Sequence, residues 1–172
     1  DSSTALQTWS LDSGPNGLDI SEDGEYVVTG TSDKLYIFDK DSSTALWTYD
    51  AAGAVASVSI SADGEYIAIG TKGSGSCGDC KVYLFDKDSS TPLWSYTLEE
   101  SVPSVAISAD GEYIIVGSEG HGLDEALYFF DKDSSTPLWT YAIGDGRVAI
   151  SADGEYIAAG TWWGENVYLF LN

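Results

Sequence analysis

The sequence predicts an all-β fold in which one antiparallel unit occurs four times. The segment Ser-Glu-Asp-Gly-Glu-Tyr at 21–26 returns as Ser-Ala-Asp-Gly-Glu-Tyr at 61–66, 108–113 and 151–156. A second motif, Asp-Ser-Ser-Thr, stands at 1–4, 41–44, 88–91 and 133–136. Repeats at a spacing of about 40 to 50 residues indicate one supersecondary unit that buries its faces only against neighbouring copies.

Each repeat contains four predicted strands, which we call A to D and describe for the third repeat. Strand A covers 104–108 and strand B covers 112–117, with an Asp-Gly pair between them. Such a pair supplies the positive-φ residue that a tight hairpin turn requires. Strand C covers 126–130, and a turn rich in Asp and Ser leads into strand D at 137–141. Short strands bounded by turn residues, with no helical period, predict an antiparallel sheet.

The apolar pattern inside the strands predicts that the four sheets are the blades of a propeller. Residues 66–69 and 82–85 are apolar on both faces, as expected of a sheet wedged between two others. Small residues such as Ser57, Ser59 and Ala106 occupy strand A, where blades converge on an axis. We therefore predict a four-bladed β-propeller in a single domain, 1–172, with a solenoid as the alternative. The blades are predicted at 17–49, 55–96, 102–141 and 147–172, the last completed by residues 1–10.

Two segments resemble known propeller repeats. Ser-Ala-Asp-Gly-Glu-Tyr-Ile-Ala, at 61–68 and again at 151–158, resembles the inner hairpin of WD40-like repeats. The segment 82–96, from Val-Tyr-Leu-Phe-Asp to Pro-Leu-Trp-Ser-Tyr, is similar to the outer hairpin of PQQ-like repeats. The Trp-Asp dipeptide of true WD40 repeats is absent, and Ser-Ser-Thr replaces the Thr-Gly turn usual in PQQ repeats. The resemblance covers essentially the whole chain and implies the fold alone, because one fold hosts many functions.

The order of the strands leaves the fourth blade one strand short. Residues 4–9 match strand D, three complete A-B-C-D repeats follow, and the last repeat has only A, B and C. Pairing of Leu6 and Trp9 with Val167 and Leu169 would complete blade four. The pairing can form within one chain, which a higher effective concentration favours. It can also form between chains, when the N-terminal strand of one subunit completes blade four of the next.

Composition argues against two classes of partner. The chain carries 28 acidic and 7 basic residues, a formal net charge of −21 at pH 7. The electrostatic field of this negative charge repels nucleic acid and anionic lipid. No apolar run approaches the roughly 20 residues that span a bilayer. The chain begins with Asp1 and lacks Met, which predicts a mature secreted form after removal of a signal peptide. We expect an extracellular or cell-surface location.

Sequence variation concentrates in the B-C and D-A loops, which share one end of a propeller. Cys77 and Cys80 lie in a glycine-rich B-C loop, and Lys81 after them excludes a haem c attachment motif. An all-β loop offers no helix N-terminus to lower a thiol pKa for redox catalysis. We predict a local disulfide between the two cysteines, as in oxidising compartments. Zinc binding, completed by His121 and a carboxylate, is the alternative.

The same loops hold the candidate partner-binding residues, which are Trp162, Trp163, His121, Glu99 and Glu100. An exposed Trp can stack on a sugar ring or anchor a protein partner, although either Trp can instead pack on the neighbouring blade. The only histidine has no nucleophile motif beside it, and we expect it to be a solvated loop residue. No catalytic residue is predicted, and we expect that the protein is not an enzyme.

These observations leave two main function classes, and a third, an enzyme, would need larger loop insertions than this sequence has. The first is a non-catalytic structural protein that associates with itself, as the subunit of a cell-surface filament or layer. The second is a secreted binding module for a carbohydrate, a cation or a basic protein through the B-C and D-A loops. No cofactor is expected, although the repeated carboxylates of the turns at the opposite end could hold Ca²⁺ weakly.

Overall fold

The computed structural model describes residues 3–73, 80–119, 126–144, 146–161 and 165–172, and these ranges contain fifteen β-strands and no helix. None of the described ranges therefore holds a helix able to cross a membrane. The strands are β1 (Gly17–Ile20), β2 (Tyr26–Gly30), β3 (Lys34–Asp39), β4 (Ala45–Asp50), β5 (Ala54–Ile60), β6 (Tyr66–Lys72), β7 (Lys81–Asp86), β8 (Trp94–Thr97), β9 (Ser101–Ile107), β10 (Tyr113–Glu119), β11 (Ala126–Asp131), β12 (Trp139–Ala142), β13 (Gly146–Ile150), β14 (Tyr156–Thr161) and β15 (Val167–Leu171).

The strands form four antiparallel sheets in which sequence neighbours are also neighbours in space. Blade one is β1-β2-β3-β4, blade two is β5-β6-β7-β8, and blade three is β9-β10-β11-β12. Blade four contains three strands, β13-β14-β15. The prediction of an all-β, four-bladed propeller-like fold is confirmed.

The repeated Ser-x-Asp-Gly-Glu-Tyr motif is a self-contained turn between the first and second strand of each blade. In blade two, the hydroxyl of Ser61 donates to the carboxylate of Asp63 (2.6 Å) and accepts from the amide of Tyr66 (3.0 Å). The same carboxylate accepts from the amide of Glu65 (3.0 Å). Gly64 has φ of 75°, a left-handed conformation that strains any residue with a Cβ. These local bonds explain why the motif returns unchanged in each repeat.

Successive blades are held together by apolar cores that lie between the sheets. In β7, Val82 and Leu84 are buried against blade three, whereas Tyr83 and Phe85 are buried against blade one. This alternation is the direct result of the two-residue period of a β-strand. It also accounts for strands that are apolar on both faces, as the sequence predicted.

Among the described residues, the blade series does not close on itself. The inner strands β1 and β5, β5 and β9, and β9 and β13 pack together, but β13 and β1 form no comparable contact. Among the described residues, β15 is hydrogen-bonded to β14 alone. The predicted completion of blade four by residues 1–10 of the same chain is therefore not found. Residues 4–9 are not a strand and lie instead against blade one.

Candidate self-association interface

Each blade has two faces that differ in which neighbour they contact. We call the face that packs on the following blade in chain order the forward face, and the face that packs on the preceding blade the rear face. In blade two, Ala68, Val82 and Leu84 belong to the forward face, and Ile67 and Ile69 belong to the rear face. In the described part of the chain, the forward face of blade four and the rear face of blade one have no blade against them.

The forward face of blade four exposes apolar side chains that are buried in the other blades. Val167 and Leu169 are 84% and 72% exposed. Their counterparts at the same strand positions are all completely buried, and these are Leu35, Ile37, Val82, Leu84, Leu127 and Phe129. The side chains of Tyr156 and Leu171 extend the exposed patch across β14 and β15. A contiguous apolar face of this kind is typical of an interaction surface.

The rear face of blade one is exposed in the complementary way. Leu18 is 70% exposed, whereas its counterparts Val58 and Val105 are 8% and 7% exposed. Ile20 is also exposed, although Ile60 in the same position of blade two is buried against blade one. The two end faces are thus the two halves of the interface that the chain builds between its own blades.

A tyrosine-on-glycine contact repeats along the blades and stops at both ends. The ring of Tyr26 covers Gly64, so closely that a Cβ on that glycine would lie 2.5 Å from Cδ2 of the ring. Tyr66 covers Gly111 and Tyr113 covers Gly154 in the same way. Blade four offers an exposed Tyr156, and the space beside Gly24 of blade one is open to 4 Å.

A ladder of backbone hydrogen bonds also crosses from blade to blade. The amide of Glu22 donates to the carbonyl of Ala62, that of Ala62 to Ala109, and that of Ala109 to Ala152, each at 3.0 Å. Within the described ranges, the amide of Ala152 and the carbonyl of Glu22 have no partner in this ladder. One donor and one acceptor therefore stand at opposite ends of the blade series.

Residues 4–9 lie against blade one, near the position where an outer strand of a preceding blade would lie. The ring of Trp9 stacks on Phe38 with 4.7 Å between centroids, as Tyr49 of β4 packs on Phe85 of blade two at 5.0 Å. The indole Nε1 of Trp9 donates to the carbonyl of Ser42 (2.7 Å), and Nε2 of Gln7 donates to the same oxygen (3.0 Å). The side chain of Leu6 is fully exposed.

One ion pair fixes the chain that follows this segment. Nζ of Lys34 lies 2.7 Å from Oδ2 of Asp12. The hydrogen bond from the ammonium holds the pKa of Asp12 below its usual value, and the pair raises the pKa of Lys34. Both groups reach solvent, so the pair orients the segment more than it stabilises the fold.

At the turn end, the end opposite the B-C and D-A loops, a lysine pairs with carboxylates in each of blades one to three. Nζ of Lys87 lies 3.1 Å from Asp88 and 3.2 Å from Glu65, and these hydrogen bonds raise the pKa of the lysine. In the part of the chain that the structure describes, no three His, Cys, Asp or Glu side chains are grouped closely enough to hold a metal ion. Weak calcium binding stays a prediction.

The loop-end candidates are only partly described. Glu99 and Glu100 line a cavity of about 460 Å³ between blades two and three, together with Tyr96 and Tyr128. Cys80 is buried and its sulfur accepts from the amide of Gly73 (3.2 Å). The remaining candidates, Cys77, His121, Trp162 and Trp163, lie outside the described residues. The disulfide and the tryptophan site therefore stay predictions.

The sequence predicted Val167 and Leu169 of blade four as assembly residues, but it did not identify Leu18 and Ile20 on the rear face of blade one. In the repeat pattern Tyr156 belongs to a predicted strand B and Gly24 to an Asp-Gly turn, and the pairing of each tyrosine with the glycine of the following blade was not predicted. The signal was present, because Gly and Tyr recur together in all four motifs. The repeat pattern does not show that each tyrosine contacts the glycine of the following repeat and not the glycine of its own repeat.

Comparison with known proteins supports the fold alone. No protein-family model matches the chain, and no curated protein sequence matches it. Among solved structures, the chain is similar to hydrazine synthase of Kuenenia stuttgartiensis, with a TM-score of 0.70 and 20% identity. The match covers 84% of this chain but 43% of the hydrazine synthase chain. An identity this low carries no activity from one protein to the other.

Proposed function

We propose that this protein is a non-catalytic structural subunit that associates head to tail with copies of itself. The forward face of blade four of one copy packs on the rear face of blade one of the next. A contact between two different surfaces leaves a free surface at each end, so that it forms rings or open filaments. We further propose that the assembly is extracellular and forms a filament or layer at a cell surface.

The observation that carries this proposal is the match between the end faces and the internal interfaces. Val167 and Leu169 repeat the positions through which blade two packs on blade three, and Leu18 and Ile20 repeat those through which blade two packs on blade one. The ring of Tyr156 and the open side of Gly24 match the tyrosine–glycine contacts between blades. The amide of Ala152 and the carbonyl of Glu22 match the backbone hydrogen bonds between blades. Three features of the internal interface, the apolar faces, the tyrosine–glycine contact and the backbone hydrogen bond, thus have their halves at opposite ends of one chain.

The test compares two exposed leucines. Leu169→Asp places a charge in the proposed interface, whereas Leu93→Asp makes the same change at a half-exposed leucine of blade two, away from both end faces. Loss of one buried leucine weakens association by about 1.5–3 kcal/mol, roughly 10- to 150-fold in Kd, and the charge adds to this. Sedimentation velocity over a range of concentrations, with negative-stain microscopy, measures the assembly.

We expect oligomers that grow with concentration for the unmodified protein and for Leu93→Asp, and monomers for Leu169→Asp. An unmodified protein that stays monomeric at every concentration contradicts the proposal. So does a Leu169→Asp variant that assembles like the unmodified protein.

A second candidate function is a binding site in the cavity between blades two and three. Glu99 and Glu100 beside the rings of Tyr96 and Tyr128 combine charge with aromatic surface, which suits a basic peptide or a sugar. Titration with an oligolysine peptide and with neutral oligosaccharides separates the two ligands. Glu99→Gln combined with Glu100→Gln should abolish peptide binding and spare sugar binding, and no binding of either ligand would reject this candidate.

A further inference from the structure

The outer edge of β15 has the features of a strand that is missing its partner. In the other three blades the third strand is covered by β4, β8 or β12, whereas β15 pairs with β14 alone among the described residues. A free strand edge presents unpaired amide and carbonyl groups that another strand can complete. The side chains of Val167 and Leu169 on the same strand are exposed as well. Both the edge and one face of β15 are therefore open.

Residues 4–9 have the sequence of the missing strand. They read Thr-Ala-Leu-Gln-Thr-Trp, and the segment 44–49, most of it in β4, reads Thr-Ala-Leu-Trp-Thr-Tyr. By this alignment Gln7 takes the position of Trp47 and Trp9 that of Tyr49. In the structure these same two side chains contact blade one, as Trp47 and Tyr49 contact blade two. The segment therefore already contacts blade one, although Gln7 and Trp9 donate to the carbonyl of Ser42, whereas Trp47 donates to that of Lys87 in blade two.

We infer that residues 4–9 of one copy are the outer strand of blade four of the preceding copy. This inference rests on the head-to-tail association proposed above and specifies how it is completed. When blade four of one copy packs on blade one of the next, its open β15 edge comes beside the segment that blade one carries. Head-to-tail packing and strand donation then occur in a single contact.

The register of the donated strand follows from the complete blades. Ile37 pairs with Trp47 and Leu35 with Tyr49, and Leu84 pairs with Trp94 in the same way. The equivalent pairs across the junction are Leu169 with Gln7 and Val167 with Trp9. In each complete blade the side chains of such a pair lie on the forward face. In the donated strand, Gln7 would therefore lie on the same side as Leu169, and Leu6 on the opposite side.

The experiment is cross-linking between two singly substituted full-length proteins. Gln7→Cys and Leu169→Cys are mixed and oxidised mildly, and directly opposed strand residues have the Cα separation that a disulfide needs. Leu6→Cys mixed with Leu169→Cys is the matched control, because Leu6 is adjacent to Gln7 in sequence but its side chain would point to the face opposite that of Leu169. The unmodified protein reports any background from Cys77 and Cys80. Sedimentation of each mixture under reducing conditions measures association separately.

We expect covalent dimers from the Gln7 and Leu169 pair to form roughly tenfold or more faster than from the Leu6 and Leu169 pair. Equal rates for the two pairs, or no cross-link in mixtures that still associate, would overturn strand donation and leave the head-to-tail proposal standing. Mixtures that neither associate nor cross-link would overturn both.

Discussion

Blades two and four use nearly the same residues in opposite surroundings. In blade two, Val82 and Leu84 are completely buried between sheets, and in blade four Val167 and Leu169 occupy the same positions on an exposed face. Burial in blade two explains why those positions are apolar. In blade four the stability of the single chain does not explain it, because the side chains gain nothing from the fold. The comparison supports our proposal that the apolar surface of blade four contacts another copy of the chain.

The largest expected effect comes from introducing the same charge at equivalent positions of blades two and four. Leu84→Asp places a carboxylate in a core without a partner, and we expect the free energy of unfolding to fall by about 4 kcal/mol or more. Leu169→Asp, measured on dilute monomer, should change it by no more than about 0.5 kcal/mol. Urea unfolding followed by circular dichroism measures both. Equal losses would mean that blade four is covered within its own chain.

A smaller difference in stability is expected between alanine substitutions at two glycines that share a backbone conformation. Gly111 and Gly24 have φ of 73° and 74°, so that alanine should cost about 1–2 kcal/mol at either position. At Gly111 the new methyl group also collides with the ring of Tyr66, which adds about 1–3 kcal/mol, whereas Gly24 has open space.

Urea unfolding of the two alanine variants, again as dilute monomer, measures this difference. Gly24→Ala should lower the stability of the monomer less than Gly111→Ala does. It should also weaken association between copies, because Tyr156 of the neighbouring copy would cover that glycine. Equal destabilisation of the two variants, with unchanged association, would remove the tyrosine contact from the junction.

The smallest effect concerns the ion pair that orients the N-terminal segment. The pKa of Asp12 is lowered by its hydrogen bond with Lys34, so the pair contributes above the usual value of 3.8 and is lost as the pH falls through the lowered pKa. The urea midpoint of Asp12→Asn should therefore lie slightly below that of the unmodified protein at pH 6 and coincide with it at low pH. High salt should also narrow the gap. A gap that widens on acidification would contradict this role.

Most of the fold could be predicted because its determinants are local. The turn motif satisfies its own hydrogen bonds through Ser61, Asp63 and Tyr66, and strand alternation decides which side chains face which neighbour. Such information repeats in the sequence and can be read from a single copy. It yielded four blades, their strand order and the shortage of one strand in the last.

The outcome at the chain ends could not be predicted, because it depends on the rotation between successive blades. That rotation is set by how side chains such as Leu35 and Val58 fill the space between two sheets, and each blade adds to it. Small differences in this packing decide whether four blades meet or remain open. The sequence therefore indicated that residues 4–9 complete a blade and favoured the blade of the same chain over that of a neighbouring chain, whereas in the structure the segment lies on blade one.

The tyrosine-on-glycine contact always points the same way, from each blade to the one that follows it, and the backbone ladder shares this polarity. An assembly that continues them has two chemically distinct tips. A Leu169→Asp molecule retains an intact blade one, so it can still add to the blade-four tip of a growing assembly, and after that nothing can follow it. Such a molecule would act as a chain terminator, able to shorten polymers of the unmodified protein when present as a small fraction of the mixture.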